Sequence, residues 1–237
     1  MTSIENKCVL VVGGSSGIGY AVADQAAAAG AKVTIASRSQ AKLADAAQKL
    51  GRGVAFQVLD TGDTNAVESF FEKQEAWDHV VISAAQTASG PVRKLSLEDA
   101  GKAMDSKFWG AYRIARAAKF TERGSLTFIS GFLSERPSAN SVLQGAINAA
   151  LESLARGLAL ELSPVRVNTV SPGMIDTPLW SKMDDGARQS LFDRIAQSVP
   201  AKVMGQPEDV ANAVIFLLTT PFATGSTVRV DGGGAIG

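Results

Sequence analysis

The stretch Cys8-Val9-Leu10-Val11-Val12-Gly13-Gly14-Ser15-Ser16-Gly17-Ile18-Gly19 decides the fold of this chain. Its apolar first part is typical of a short strand that is covered on both faces, and the glycines follow directly. Glycine lets the chain turn sharply and approach an anion closely, and the helix that follows directs its positive end at the same point. The stretch therefore predicts a strand, loop and helix that hold the pyrophosphate of a dinucleotide. Glycine-rich loops also serve as ordinary turns, so the prediction depends on this context.

Outward from this stretch, short apolar segments alternate with longer segments of helical period. This is the pattern of βα units stacked around a parallel sheet. The predicted strands cover residues 8–12, 33–37, 54–59, 79–83, 125–130, 165–170 and 227–230. We therefore predict an α/β fold, a Rossmann-like, doubly wound parallel sheet of about seven strands with helices on both faces.

Capping residues indicate where several helices begin and end. Ser39 and Gly51 bound a helix over 40–50, Ser96 opens a long helix that ends near 119, and Pro207 begins a helix that reaches about 218. No linker, repeat or low-complexity stretch divides the chain, so we expect one nucleotide-binding domain over 1–237. The irregular segment 176–205 follows a predicted strand, where substrate lids commonly lie, and we interpret it as a lid containing a short helix.

The composition argues against several classes of function. The 23 basic and 23 acidic residues cancel without forming a basic stripe, so we expect no nucleic-acid partner. Apolar runs stay far below the roughly 18 residues of a membrane span, so we expect no membrane partner. Cys8 is the only cysteine and no secretory leader precedes the first strand, which together predict a cytoplasmic protein. His79, the single histidine, has no cysteine or acidic cluster beside it, so we predict no metal site.

The end of the second predicted strand selects the dinucleotide. In such sites an acidic residue about 20 positions after the glycine loop binds the ribose 2′-hydroxyl, whereas this chain has Ser37-Arg38 there. A guanidinium suits a 2′-phosphate, to which it donates charge-assisted hydrogen bonds, so we predict NADP(H) rather than NAD(H). The alternative is a solvated arginine on a surface turn. Asp60, at the end of the third strand, is placed to contact adenine or serves only as a turn residue.

With these residues in place, the chain resembles the short-chain dehydrogenase/reductase family over essentially its whole length. The matching places are the loop 13–19, Asp60, the stretches 165–168 and 171–173 with Thr177 behind them, and 230–233. The resemblance implies that Pro172, Gly173, Ile175 and Thr177 contact the nicotinamide end of the cofactor. It also places Ala84 in the cofactor site, within 82–85, where the family has Asn-Asn-Ala-Gly. An ordinary strand-to-loop turn is the alternative for Pro172-Gly173.

The catalytic residues that this resemblance implies are not present. The family uses a Tyr, a Lys one helical turn later on the same face, an upstream Ser, and an Asn on the preceding helix. The corresponding residues here are Gln144 for the Tyr, Asn148 for the Lys, Gly131 for the Ser and Lys107 for the Asn. The only tyrosines, Tyr20 and Tyr112, have no Lys one turn later, so sliding the alignment restores nothing.

The Asn and Lys positions are exchanged between residues 107 and 148. We hypothesise that Lys107 reaches the space beside Asn148 and contacts the nicotinamide ribose or a substrate oxygen, the alternative being a solvated helix residue. Without a phenol, the proton would come from a buried Lys107 of lowered pKa, or from water if the substrate forms a stabilised anion, as a conjugated enone does. Nearby serines either orient a substrate or serve loop turns, and these are Ser130, Ser134, Ser138 and Ser141.

Three functions are compatible with this site. The first is an NADP(H)-dependent oxidoreductase with a rearranged catalytic centre (Lys107, Gln144, Asn148) and a small organic substrate under the lid. The second is a catalytically inactive pseudoenzyme that senses NADP(H) or modulates a partner, and isomerase or lyase chemistry is a third. The resemblance implies a homodimer or homotetramer through the helix at 144–162, whose small residues could instead pack on the sheet.

Overall fold

A parallel sheet runs through the protein, and the computed structural model describes residues 2–237. Within that range the sheet has seven strands in the order β3-β2-β1-β4-β5-β6-β7, and every neighbouring pair is parallel. The strands are β1 Cys8–Val12, β2 Lys32–Ser37, β3 Ala55–Val58, β4 Trp77–Ile82, β5 Phe120–Ile129, β6 Arg166–Pro172 and β7 Thr227–Val230. The predicted doubly wound α/β fold is confirmed.

Helices cover both faces of the sheet. They are α1 Gly17–Ala28, α2 Gln40–Leu50, α3 Thr64–Glu72, α4 Leu97–Met104, α5 Gly110–Ala117, α6 Val142–Glu161, α7 Asp185–Ser198 and α8 Pro207–Thr219. Side chains alternate along each strand, so Val9 and Val11 of β1 enter the core under α1, α2 and α8. Leu10 and Val12 enter the second core under α3, α5 and α6. Burial on both faces explains why the central strands are continuous apolar runs.

The carboxyl ends of the parallel strands lie along one edge of the sheet. The strand order reverses between β1, which pairs with β2, and β4, which continues the sheet toward β5. In doubly wound folds, ligands bind in the crevice at such a reversal. The loops after Val12, Ile82, Ile129 and Pro172 therefore meet at the edge where a ligand site is expected.

Two segments differ from the sequence-based prediction. The long helix predicted after Ser96 is interrupted by a π-helical turn over Asp105–Trp109, between α4 and α5. A π turn adds a residue to the helical repeat and is frequent at functional sites, and here Lys107 lies at its centre. The segment 176–205 is more regular than expected, because Asp184 accepts hydrogen bonds from Gly186 N and Ala187 N and thereby begins α7.

None of the helices over residues 2–237 is both long enough and apolar enough to span a bilayer.

Candidate functional site

The glycine loop after β1 packs directly against the backbone that follows β4. Gly13 has φ +87°, and a Cβ built there would lie 2.5 Å from the backbone nitrogen of Ala84. A Cβ on Gly19 would lie 2.2 Å from the carbonyl oxygen of Gly13. Neither position has room for a side chain, because the obstacle is main chain that cannot rotate away. The structure thereby brings Gly13, Gly19 and Ala84 together at the strand reversal.

The N-terminus of α1 faces this loop. Ser16 is the N-cap residue, and over the described range its hydroxyl makes no capping hydrogen bond. Gly17 has φ +54°, and a Cβ on it would lie 3.4 Å from the side chain of Thr177, so the segment after β6 reaches the same helix end. Free backbone N–H groups and the helix dipole make this point suitable for a phosphate group.

The end of β2 supplies one hydroxyl and one cation. The Ser37 hydroxyl is buried and has no hydrogen-bond partner among residues 2–237. The exposed Arg38 guanidinium donates to Gln86 Oε1 at 2.8 Å. Asp60 Oδ1 accepts from Gly62 N at 3.0 Å, which is the bond expected if Asp60 serves as a turn residue. A buried hydroxyl without a partner is unusual in a folded protein, so this position suits a ligand that would complete its hydrogen bonding.

The segment after β6 is held close to β7 and to the chain before α8. A Cβ on Gly173 would lie 2.8 Å from Asp231 Cα, so the turn after Pro172 passes close to the backbone following β7. Ile175 forms an isolated β-bridge with Gly205. Trp180 Nε1 donates to the carbonyl oxygen of Ile175 at 2.9 Å. The Ile175 side chain is buried in the core.

Lys107 lies in a network that joins three elements. Its Nζ donates to Asn148 Oδ1 at 2.6 Å and to the carbonyl oxygen of Ser130 at 2.7 Å. Burial lowers the pKa of the Lys107 ammonium from 10.5 to about 8, because desolvation disfavours the charged form, while the negative charge of Glu152 acts in the opposite direction. Lys107 is thus partly buried rather than a solvated helix residue.

The Asn148 amide occupies the space next to Gly131. Asn148 is 4 % exposed, and a Cβ on Gly131 would lie 2.7 Å from its Nδ2 atom. A side chain at 131 is therefore incompatible with Asn148 as it is placed. The residues at 107, 131 and 148 form one mutually dependent arrangement.

Gln144 belongs to a different set of contacts. Its Nε2 donates to Thr87 Oγ1 at 3.0 Å, which ties α6 to the loop after β4, and among residues 2–237 its side chain makes no hydrogen bond to the side chain of Lys107 or Asn148. Two of the candidate serines also make local loop bonds, Ser138 with Asn140 N and Ser141 with Ser89. These residues position loops around the crevice.

Glu152 is the residue that the sequence interpretation missed. It is 8 % exposed, and its Oε1 accepts from Ser130 Oγ at 2.8 Å and from Ser134 Oγ at 2.7 Å. The available signal was spacing, since residues four apart on a helix share a face and Glu152 lies one turn after Asn148. Burial of that face was not visible in the sequence.

Comparisons with known proteins agree along nearly the whole chain. A family model described as enoyl-(acyl carrier protein) reductase matches residues 12–234. The short-chain dehydrogenase/reductase ucsE of Acremonium sp is 32% identical to this chain, over 98% of this chain and 97% of that protein. A small-chain dehydrogenase solved in complex with NADPH has 33% identity and a TM-score of 0.85, over 98% of this chain and 100% of the other. An NADPH-bound short chain oxidoreductase from Pseudomonas aeruginosa PAO1, described as containing an atypical catalytic center, has 25% identity and a TM-score of 0.90, over 98% of each chain.

Proposed function

The chain belongs to the short-chain dehydrogenase/reductase family, and on that premise we propose that it is an NADP(H)-dependent oxidoreductase with a rearranged catalytic centre. The observation that carries this proposal is the bonding of Lys107 to Asn148 and to the Ser130 carbonyl. An ammonium thus lies beside the position of the family's lysine, although it comes from another helix. The NADPH complexes among the similar structures, one of them with an atypical catalytic center, support this interpretation.

The residues at the strand reversal fit NADP(H). Gly13 and Gly19 leave the loop open to a pyrophosphate at the N-terminus of α1, with Ser15, Ser16, Gly17 and Ile18 between them. The unpartnered Ser37 hydroxyl and the exposed Arg38 guanidinium suit a phosphorylated ribose. We assign adenine contact to Asp60, and cofactor contacts near the nicotinamide to Ala84, Lys107, Pro172, Gly173, Ile175 and Thr177.

Lys107 is the proposed proton donor. Bound NADPH supplies a hydride, and reduction of a carbonyl or a conjugated enone then leaves an anion that must take up a proton. A lysine whose pKa is about 8 is mostly protonated at neutral pH and still releases a proton readily. The Nζ–H proton moves to the substrate oxygen or to the carbon of a stabilised anion, and the neutral amine is reprotonated from solvent. Asn148 and the Ser130 carbonyl hold Nζ in place during this cycle.

The surrounding chain completes the proposed enzyme. We propose that Gln144 orients the loop after β4 through Thr87, and that segment 176–205, with α7, covers a small organic substrate. We further propose a single cytoplasmic domain that assembles as a homodimer or homotetramer through α6, whose small residues permit close packing.

One observation favours the second candidate, a pseudoenzyme that senses NADP(H). The two hydrogen bonds of Lys107 both end on protein acceptors, which is the pattern of a structural lysine. In this case the same site would bind the dinucleotide without turnover.

The test combines NADPH binding, followed by fluorescence, with a screen of carbonyls, imines and conjugated enones for cofactor oxidation. We expect Lys107→Met to abolish turnover, and Arg38→Ala to weaken NADPH binding roughly tenfold while leaving NADH binding unchanged. The matched control is Lys102→Met, because Lys102 is an exposed lysine of α4 that pairs with Glu98. Binding without turnover would select the pseudoenzyme, and failure to bind either dinucleotide would contradict both candidates.

A further inference from the structure

Glu152 is a buried acidic residue that the proposed reaction does not yet use. Both hydroxyl bonds that it accepts end on the same oxygen, Oε1, from Ser130 and from Ser134. A buried carboxylate is strongly unfavourable unless hydrogen bonds and an opposite charge compensate it. The two hydroxyls supply the hydrogen bonds, so a nearby cation must supply the positive charge.

Ser130 links Glu152 to Lys107. Its carbonyl oxygen accepts from Lys107 Nζ at 2.7 Å, while its hydroxyl donates to Glu152 Oε1 at 2.8 Å. The negative charge that raises the pKa of Lys107 is that of Glu152, against the larger lowering effect of burial. Lys107 and Glu152 are thus linked through Ser130, which bonds to both.

The other charged groups near this pair are engaged elsewhere. From β7, Arg229 also feels the charge of Glu152, but it is bonded to Glu135 and lies nearer to solvent. Asp231, beyond β7, accepts from the backbone nitrogens of Gly233 and Ala235. On the helix of Lys107 itself, Asp105 pairs with Arg113 at 2.7 Å. Lys107 is therefore the cation that balances Glu152 inside the crevice.

We propose that Glu152 is a positioning residue that keeps Lys107 in its ammonium form and fixes Ser130 beneath it. This role rests on the proposed function, in which Lys107 donates the proton. Without the charge of Glu152, burial would lower the pKa of Lys107 further, and a smaller fraction of Lys107 would be protonated at neutral pH. The alternative is that Glu152 only anchors the two serines, which an uncharged acceptor would do equally well.

Glu152→Gln separates these roles, because an amide oxygen still accepts from Ser130 and Ser134 but carries no charge. The readout is competitive labelling of Lys107 with trace acetic anhydride between pH 5 and 10.5, quantified by mass spectrometry of the peptide. We expect the pKa of Lys107 to fall by about one unit, from about 8, so that the reactive amine at pH 7 increases roughly fivefold. Glu152→Asp, which retains the charge, should restore most of the wild-type profile.

The matched control is Glu161→Gln, which removes an exposed carboxylate at the end of the same helix and should leave the labelling of Lys107 unchanged. A folded Glu152→Gln protein with the wild-type labelling profile would overturn the proposal. Labelling needs no substrate, so absence of NADPH oxidation would contradict the proposed function without affecting this result. If turnover is found, the basic limb of its kcat/KM profile should move to lower pH by the same amount.

A second variant covers the case in which Glu152→Gln does not melt cooperatively. Loss of Glu152 leaves the Lys107 ammonium buried without a counter-charge, so adding Lys107→Met to that variant should restore cooperative melting. A double variant that is no more stable than Glu152→Gln alone would overturn the charge pairing.

Discussion

Glycines in two parts of the crevice leave no room for a Cβ, but for different reasons. In the loop after β1 the obstacle is main chain, since a Cβ on Gly19 would lie 2.2 Å from the carbonyl oxygen of Gly13. At the end of β5 the obstacle is a side chain, since a Cβ on Gly131 would lie 2.7 Å from Asn148 Nδ2. Backbone cannot make room without moving a strand, whereas a side chain can be exchanged for a smaller one.

This difference bears directly on the proposed rearrangement of the catalytic centre. The tight positions Gly13 and Gly19 of the glycine loop admit only glycine, because a Cβ on either would meet main chain. The residues at 107, 131 and 148 limit one another mainly through side chains, so they can change together while the backbone stays in place. Three measurements test this contrast between the glycine loop and the proposed rearranged centre.

The largest effect is expected at the backbone-limited position. Gly19→Ala should abolish NADPH binding and lower the free energy of unfolding by more than about 3 kcal/mol, because the new methyl group cannot avoid the main chain. Thermal melting and cofactor titration measure both effects. The control is Gly157→Ala on the exposed side of α6, where a Cβ meets nothing within 4 Å; it should stabilise by up to about 1 kcal/mol. Similar losses in both variants would contradict the contrast.

The second measurement concerns the stability that is lost because the Lys107 ammonium is buried in the proposed centre. The pKa of Lys107 is about 8 in the folded protein against 10.5 as its ordinary value. Between these values the unfolded chain keeps the proton that the folded protein has lost, so the free energy of unfolding rises with pH. The rise is at most about 3 kcal/mol from pH 8 to 10.5 and is absent below pH 8.

Urea unfolding at several pH values between 7.5 and 10.5 measures this rise. Lys107→Met should flatten it, whereas Lys102→Met, at an exposed position of α4, should retain it. A rise of equal size in the Lys107→Met variant would mean that other groups are responsible.

The smallest effect is expected where a side chain sets the limit. Gly131→Ser should lower the free energy of unfolding by about 1–2 kcal/mol, because the new Cβ displaces the Asn148 amide from Lys107. Combined with Asn148→Ala, the loss should be smaller than the sum of the two single losses, as a double-mutant cycle by urea unfolding would show. Additive losses would mean that main chain, and not the Asn148 side chain, is what leaves no room for a Cβ at Gly131.

The fold was largely predictable from the sequence. The bounds of β1, β7 and α2 match their predictions, because apolar runs and the Ser39 and Gly51 caps act within a few neighbouring residues. The full length of α7 was not predicted, although Asp184 is a readable cap, because its helix carries little apolar periodicity.

The catalytic half was predictable only in part. The substituted positions could be identified from the sequence through the resemblance, and the hypothesis that Lys107 approaches Asn148 agrees with their 2.6 Å contact. The contacts of Gln144 with Thr87 and of Glu152 with the two serines were not foreseen. Each joins segments far apart in the chain, and no local pattern specifies such a pair.

The amino-acid sequence alone was enough for the βα alternation and the glycine loop. These features depend on backbone sterics, hydrophobic period and residue identity, all of which are local. Only the tertiary structure decided that Lys107 meets Asn148, that Gly131 makes room for that amide, and that Glu152 is buried beside them. Those relations depend on how the π turn after α4, the helix α6 and the end of β5 pack, and packing is a property of the whole fold.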